Sequence, residues 1–339
     1  MSDPFHGEKI RLAIIGAGAV AETHLPVAIA SSVFDVTVIV DKAIERARGL
    51  ADQFKVPAAL DNYLEIGDMA DAAIVALPHH LHAPVAMELL QKEIHVLVEK
   101  PMALSTRDCD AMIAAARENH VRLAIGQLRR FFYSNALVKS VLERGLLGAI
   151  IDFDLREGTI FNWPAKSDFI FRRETGGGVL ADTGAHALDT LLWWFGGCEA
   201  ISYFDDSMGG VEADCEIHLK FRNGAQGNVV LSRTRNLRNT CIIRGECATL
   251  EVETKFNSQI CLKFLDKDIN LVGRAMPAAN KHPVAEDVWS LFRRQLDDFG
   301  ESILTDRSPF VPGLEGRRVV EVIEYCLANK RPLRMPWIA

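Results

Sequence analysis

The chain has 339 residues, 49% hydrophobic and 24% charged, with a net charge of −7. Such a chain buries a real core, divides into about two domains, and offers no basic field to nucleic acid or an anionic membrane. Seven scattered cysteines without zinc-site spacing read as reduced thiols, residues 1–9 are polar rather than a signal peptide, and no apolar run is long enough to span a membrane, so a cytoplasmic protein is expected.

Residues 11–15 are an apolar, β-rich run, and Gly16-Ala17-Gly18-Ala19-Val20-Ala21 follows directly. Helical periodicity then begins, with Val20, Leu25, Val27 and Ala28 expected inward. A strand, a G-x-G-x-x-A turn and a helix together make a dinucleotide fingerprint. Gly16 permits the tight turn, Gly18 lets backbone amides approach a pyrophosphate, and Ala21 lets helix and strand pack closely. A second strand, 36–40, ends on Asp41, placed to accept from a ribose 2′-hydroxyl and to repel a 2′-phosphate. NAD is therefore expected over NADP, with Lys42 and Arg46 close behind softening the preference.

A helix over 43–54 and a strand over 72–77 come next, the strand stopping at Pro78. His79, His80 and His82 follow and read as crevice-lining or structural histidines rather than metal ligands, before a helix over 83–92. The run 94–98 is a buried strand followed at once by Glu99-Lys100-Pro101. Residues just past a parallel strand's carboxyl end sit at the ligand crevice, and Pro101 biases Lys100 toward an extended conformation. Taken alone, the three residues read first as a surface ion pair closing an ordinary strand. Ser105 opens a helix to 119 in a capping box with Asp108, and a strand over 121–125 ends at Gly126. This alternation predicts a doubly wound parallel sheet, an α/β domain over residues 1–127.

The pattern then changes. A helix over 135–144 and a strand over 149–157 lead into two aromatic- and arginine-rich loops, one with Trp163, the other with Arg172 and Arg173. Gly176-Gly177-Gly178 enters a helix over 179–195, and strands follow at 200–204, 213–221, 227–231, 240–244, 249–253 and 260–265. Two helices close the chain, from Pro283 to about 303 and over 314–327. An α+β domain over 128–339 with a large, mostly antiparallel open sheet is expected. On the helix after the glycines, Asp182, His186 and Asp189 stand at i, i+4 and i+7 on one face, with Leu188, Leu191, Leu192 and Phe195 packing the other. A histidine beside a carboxylate suits proton transfer, though a solvent-facing stripe reads the same way.

Three elements in this order resemble the Gfo/Idh/MocA family of oxidoreductases: Gly16 to Ala21, Glu99-Lys100-Pro101, and Gly177 to Asp189 read as G-G-x-L-x-D-x-G-x-H-x-x-D. Weaker matches are Pro78 with His82, Arg130-Phe131, Gly145-Leu146-Leu147-Gly148 and the segment from Pro312 to Arg317. The resemblance implies an NAD(P)-dependent enzyme acting on a hydroxyl or carbonyl carbon of a sugar, an inositol-like polyol or a sugar nucleotide. Lys100 would hydrogen-bond the reacting oxygen, His186 would be the general acid/base, and Asp182 would position the substrate. The cofactor would meet Gly16, Ala17, Gly18, Ala19, Val20, Asp41, Lys42, Arg46, Leu77, Pro78, His79, His82, Glu99 and Lys100. His79 stands where the family usually has Asn or Thr. Substrate contacts would come from Arg130, Trp163, Arg172, Arg173 and Asp189. Arg233, Arg235, Arg238 and Arg244 are read first as sheet surface or a subunit interface, with binding of a sugar nucleotide's phosphate or of a carboxylate as the alternative, and the sheet itself is assigned to a homodimer or homotetramer. Two other readings share the fold: a non-catalytic dinucleotide-binding regulator, and an NAD-dependent glycosidase.

Overall fold

The computed structural model describes residues 8–162, 167–256, 258–267, 269–277 and 287–334. It forms two compact units, Met1–Leu128 with Trp289–Val320, and Arg129–Val288 with Glu321–Ala339.

The first unit is a six-stranded, all-parallel sheet: β1 (Ile10–Ile15), β2 (Phe34–Val40), β3 (Ala58–Leu60), β4 (Ala72–Val75), β5 (His95–Glu99) and β6 (Leu123–Gly126), in the order 3-2-1-4-5-6. Helices α1 (Ala19–Ile29), α2 (Ile44–Phe54), α3 (His82–Gln91) and α4 (Thr106–Glu118) make the crossovers. Burial on both faces is what an all-parallel sheet requires, and Leu12, Ile14, Ile74, Val75, Val96 and Val98 are all fully enclosed. The capping box is formed as read: the Asp108 N–H donates to Ser105 Oγ at 3.1 Å, and that hydroxyl meets the Asp108 carboxylate at 2.8 Å. The strand order reverses between β1 and β4, so the carboxyl ends of these strands open a crevice suited to a ligand.

The second unit opens with α5 (Tyr133–Glu143) and β7 (Ile150–Gly158), and α6 (Ala185–Phe195) follows. Its nine-stranded sheet adds β8 (Cys198–Asp205), β9 (Asp214–Phe221), β10 (Gln226–Ser232), β11 (Thr240–Gly245), β12 (Ala248–Glu253), β13 (Gln259–Phe264) and β14 (Asn270–Arg274). After α7 (Val288–Leu304) and α8 (Gly313–Ala328), the short β15 (Arg331–Pro332) completes the order 14-13-12-11-7-10-9-8-15. Pairing is antiparallel except for β7 with β10 and β8 with β15. Alternation sorts the faces: Phe153, Leu155, Ile217, Leu219, Phe221, Val229 and Ile243 are buried, and Phe195 of α6 stacks on Phe153 at 5.2 Å. The opposite face carries the row Ser202, His218, Asn228, Asp154, Ile242, Glu251, Cys261. Strands β3, β14 and β15 were not foreseen, being short or lacking alternation. Pro283, expected near the start of α7, lies outside the described residues.

From Trp289 the chain belongs again to the first unit. Phe299 of α7 stacks on Phe34 at 5.9 Å, and Gly300 lets the helix approach so closely that a Cβ there would lie 2.7 Å from Val33. Pro312 bridges Ala124 beside β6, and Gly313 and Gly316 leave room for Ile113, Ile125 and Met102. A topology shift near residue 127 marks the entry to the second unit, but nothing in the periodicity signals this return.

Candidate active site

The first unit gathers its chemistry at the carboxyl ends of the strands. Gly16 adopts φ +104°, and a Cβ there would strike the Ala76 carbonyl. Gly18 is extended, no side chain caps the start of α1 behind it, and a Cβ at Gly18 would enter open space. The N–H groups of that first turn are thus available to an anion. Asp41 ties the loop to the end of β2, accepting from the Ala17 N–H at 2.8 Å and the Ala43 N–H at 2.9 Å. Lys42 and Arg46 are exposed beside it. Val20, expected inward, is instead 41% exposed in the first turn of α1. A bare helix N-terminus, an open glycine and a carboxylate at the next strand end fit a dinucleotide's pyrophosphate and ribose.

At the end of β5 the Glu99 carboxylate meets His24 Nε2 at 2.8 Å, and its other oxygen accepts the Lys100 N–H at 3.3 Å. His24 is itself buried and stands edge-on to Phe292, 4.6 Å between centroids. Gly126 makes the space, since a Cβ there would lie 2.9 Å from the Glu99 carboxyl. Burial alone would raise the Glu99 carboxyl, but the His24 hydrogen bond, with the charges of His24, Lys100 and His82, outweighs it and holds the group below the usual carboxylate range. Glu99 is therefore favoured as an anion, held between His24 and the Lys100 N–H. Lys100 is half-buried and followed by a cis bond to Pro101. Leu77 and Pro78, past β4, are partly open, whereas His79 is 5% exposed. His82 corrects an expectation. It is completely enclosed, and both ring nitrogens face backbone carbonyls rather than the crevice. Among the described residues no group of three His, Cys, Asp or Glu could hold a metal ion.

In the second unit the triple glycine has a separate reason at each position. Gly176 is left-handed at φ +79°, Gly177 would place a Cβ 2.5 Å from the Ile170 carbonyl, and Gly178, at φ +110°, lies against the Glu212 carboxylate. Glu212 then holds the entry to the helix: Oε1 accepts the Leu180 N–H at 2.9 Å and its own carbonyl accepts the Val179 N–H at 3.0 Å. Burial pushes its carboxyl up. Residues Leu180–Gly184 form a π-helical turn ahead of α6, a feature that clusters at functional sites. Asp182, Thr183 and His186 emerge half-exposed around it. Asp182 pairs with Arg233, whose guanidinium lies 5.9 Å over the Phe161 ring.

Asp189 does not join them. It is fully buried, and Arg130 donates to both its oxygens from Nε and Nη2 at 2.7–3.1 Å while lying 5.6 Å over Trp193. The shared helix face runs beneath Arg130 by its second turn, so the two expected substrate residues serve each other instead. Arg172 is exposed and pairs with Asp168, Arg173 is exposed, and Trp163 lies outside the described residues. Sequence reasoning missed His24, Glu212 and Arg233 as neighbours of the expected site residues. Arg233 and Arg235 follow the apolar run 229–231, but that spacing does not reveal which carboxylates they meet, Asp182 and Asp214 respectively.

The family model of an oxidoreductase family with an NAD-binding Rossmann fold matches residues 10–127, and the GFO/IDH/MocA C-terminal domain matches residues 136–251. The chain belongs to the Gfo/Idh/MocA family. Trans-1,2-dihydrobenzene-1,2-diol dehydrogenase of Mus musculus is 25% identical over 340 residues, 93% of this chain and 95% of that one. Levoglucosan dehydrogenase of Pseudarthrobacter phenanthrenivorans is 25% identical over 291 residues, 75% and 74% of the two chains. Among solved structures, aldose-aldose oxidoreductase of Caulobacter crescentus with glycerol superposes with a TM-score of 0.84 at 25% identity, covering 95% of this chain and 97% of that one. A levoglucosan dehydrogenase complex with NADH and levoglucosan shares the fold, with a TM-score of 0.86 at 20% identity over 95% and 97%. Like other Gfo/Idh/MocA members, this chain is an oxidoreductase with an NAD(P)-binding Rossmann domain. Among its described residues no helix is long and apolar enough to cross a membrane.

Proposed function

We propose that this protein interconverts a hydroxyl and a carbonyl group on a sugar, an inositol-like polyol or a sugar nucleotide, with NAD as the preferred cofactor. The observation that carries the reading is Lys100, placed directly after β5 and steadied by a buried Glu99–His24 pair. A bound nicotinamide supplies the hydride acceptor or donor. The oxygen on the reacting carbon must lose or gain a proton in step, and that work falls to the chain. The Lys100 ammonium hydrogen-bonds this oxygen and stabilises developing alkoxide character. His186 takes or returns the proton, and Asp182, steadied by Arg233, orients the substrate hydroxyls. Asp41, already fixed to the glycine loop, favours a ribose 2′-hydroxyl over a 2′-phosphate. A cytoplasmic homodimer or homotetramer, associating through the nine-stranded sheet, completes the reading.

The test is a panel of sugars, polyols and sugar nucleotides with NAD and NADP, beside titration of NADH by fluorescence. Turnover with NAD is expected on some member of the panel. Lys100→Met should cut kcat/KM by about 10²–10³-fold, the usual cost of one lost oxyanion donor, while NADH affinity stays near that of the native protein. Native turnover in that variant would overturn the mechanism. Tight NADH binding with no turnover on the whole panel would favour the non-catalytic alternative.

A further inference from the structure

His82 opens α3 and is fully buried. Its Nδ1 lies 2.8 Å from the Pro101 carbonyl oxygen and its Nε2 lies 2.7 Å from the Leu77 carbonyl oxygen. A carbonyl oxygen only accepts, and a neutral imidazole carries one N–H. With a neutral ring, one of these contacts would therefore set two lone pairs against each other at hydrogen-bond distance. The imidazolium satisfies both.

The two carbonyls belong to different strand ends. Leu77 follows β4, and Pro101 follows Lys100 at the end of β5. The ring thus ties the backbone on either side of the lysine's exit point. Burial, with the Lys100 charge behind it, lowers the ring's pKa from its ordinary value against the Pro101 and Leu77 carbonyls and the Glu99 carboxylate; the two short carbonyl contacts are the geometric reason to assign the charge nonetheless. His79 is a further titratable neighbour, 5.7 Å away between ring centroids. Glu99 is anchored separately by His24, so Lys100 is flanked by one residue fixed through its side chain and another fixed through its carbonyl.

We propose that His82 is a positioning residue, held as an imidazolium, that clamps the Leu77 and Pro101 carbonyls and thereby aims Lys100. The aiming rests on the reading of Lys100 as the group that meets the reacting oxygen; the clamp does not.

Full-length protein labelled with 15N in its histidine rings tests the clamp directly. At neutral pH the His82 ring should show two exchange-protected N–H protons, assigned through its own backbone. One N–H beside an unprotonated nitrogen would overturn the imidazolium, and this spectrum decides the matter even where a variant fails to fold. Kinetics test the aiming. A misplacement of about 1 Å can cost about 10²-fold, so His82→Gln should lower kcat by that order with NADH affinity, read by fluorescence, near native. In a Lys100→Met background the same change should add no further loss, because His82 acts through Lys100. Independent, multiplicative losses would overturn the aiming. Native activity in Lys100→Met alone would overturn it too, by removing what is aimed, while the spectrum still decides the clamp.

Discussion

His95 begins β5 with its Nδ1 accepting the Arg122 N–H at 2.9 Å, a bond only the unprotonated nitrogen can make. Burial, helped by the Arg122 charge and opposed by Asp71, lowers its pKa from 6.5 to about 4. The unfolded chain therefore takes the proton first. Its contribution to stability is complete above about pH 6.5, is lost as pH falls toward 4, and amounts to at most about 3 kcal/mol. Urea unfolding from pH 7 to 4 should show this decline. His95→Gln, whose amide oxygen can still accept from Arg122, should flatten it; an unchanged slope would assign the acid sensitivity to other groups. At this scale the sequence speaks clearly where one residue's own geometry decides. Gly16 is legible because only glycine turns there, and Lys100 because strand end and proline are adjacent. Glu212 and His24 are not legible, since their partners lie 32 and 75 residues away and no local pattern encodes the pairing.

Among the elements, α6 shows how a periodic pattern can be read correctly and still mislead. The i, i+4, i+7 spacing does put Asp182, His186 and Asp189 on related sides, yet exposure depends on what covers each turn. Arg130, at the lead into α5, covers the second turn and buries Asp189 with it. Breaking such a pair by removing one partner strands a buried charge, at a cost of about 3–5 kcal/mol. Arg130→Met should therefore lower stability by that amount in denaturant melts, and pairing it with Asp189→Leu should recover much of the loss. If Arg130→Met instead weakened substrate binding with stability unchanged, the residue would be a ligand contact after all. The sheets were legible in class because parallel strands read as continuous apolar runs and antiparallel ones alternate. The return of α7 to the first unit was not, because an amphipathic helix records that it is covered, not by what.

For the whole molecule, the open face of the nine-stranded sheet is the surface that most needs an explanation. Its interior row is polar, with ion pairs Arg244–Asp152 and Arg238–Asp154 around a shallow depression of about 500 Å³. Toward one edge the character changes: β14 is exposed along its length, with Leu271 65% and Val272 52% accessible. An edge strand with open apolar side chains invites pairing unless something covers it, and shortness, a charge, Pro or a bulge is the usual defence. β14 is five residues long and ends on Arg274, so shortness and one charge are its defences, and Leu271 and Val272 still lie open. The proposed self-association through this sheet would cover it, and a stable interface needs about 800 Å² from each partner, which a broad open sheet can supply. Light scattering should then give a multiple of the 37.5 kDa chain mass. Val272 shares its row with Cys261, Glu251 and Ile242, so Ile242→Lys combined with Val272→Lys puts two like charges on that face of each copy. The double variant should run as a monomer with its NADH affinity intact. A native protein that is monomeric at working concentration, or a double variant that stays associated, would move the interface elsewhere and leave β14 an uncovered edge.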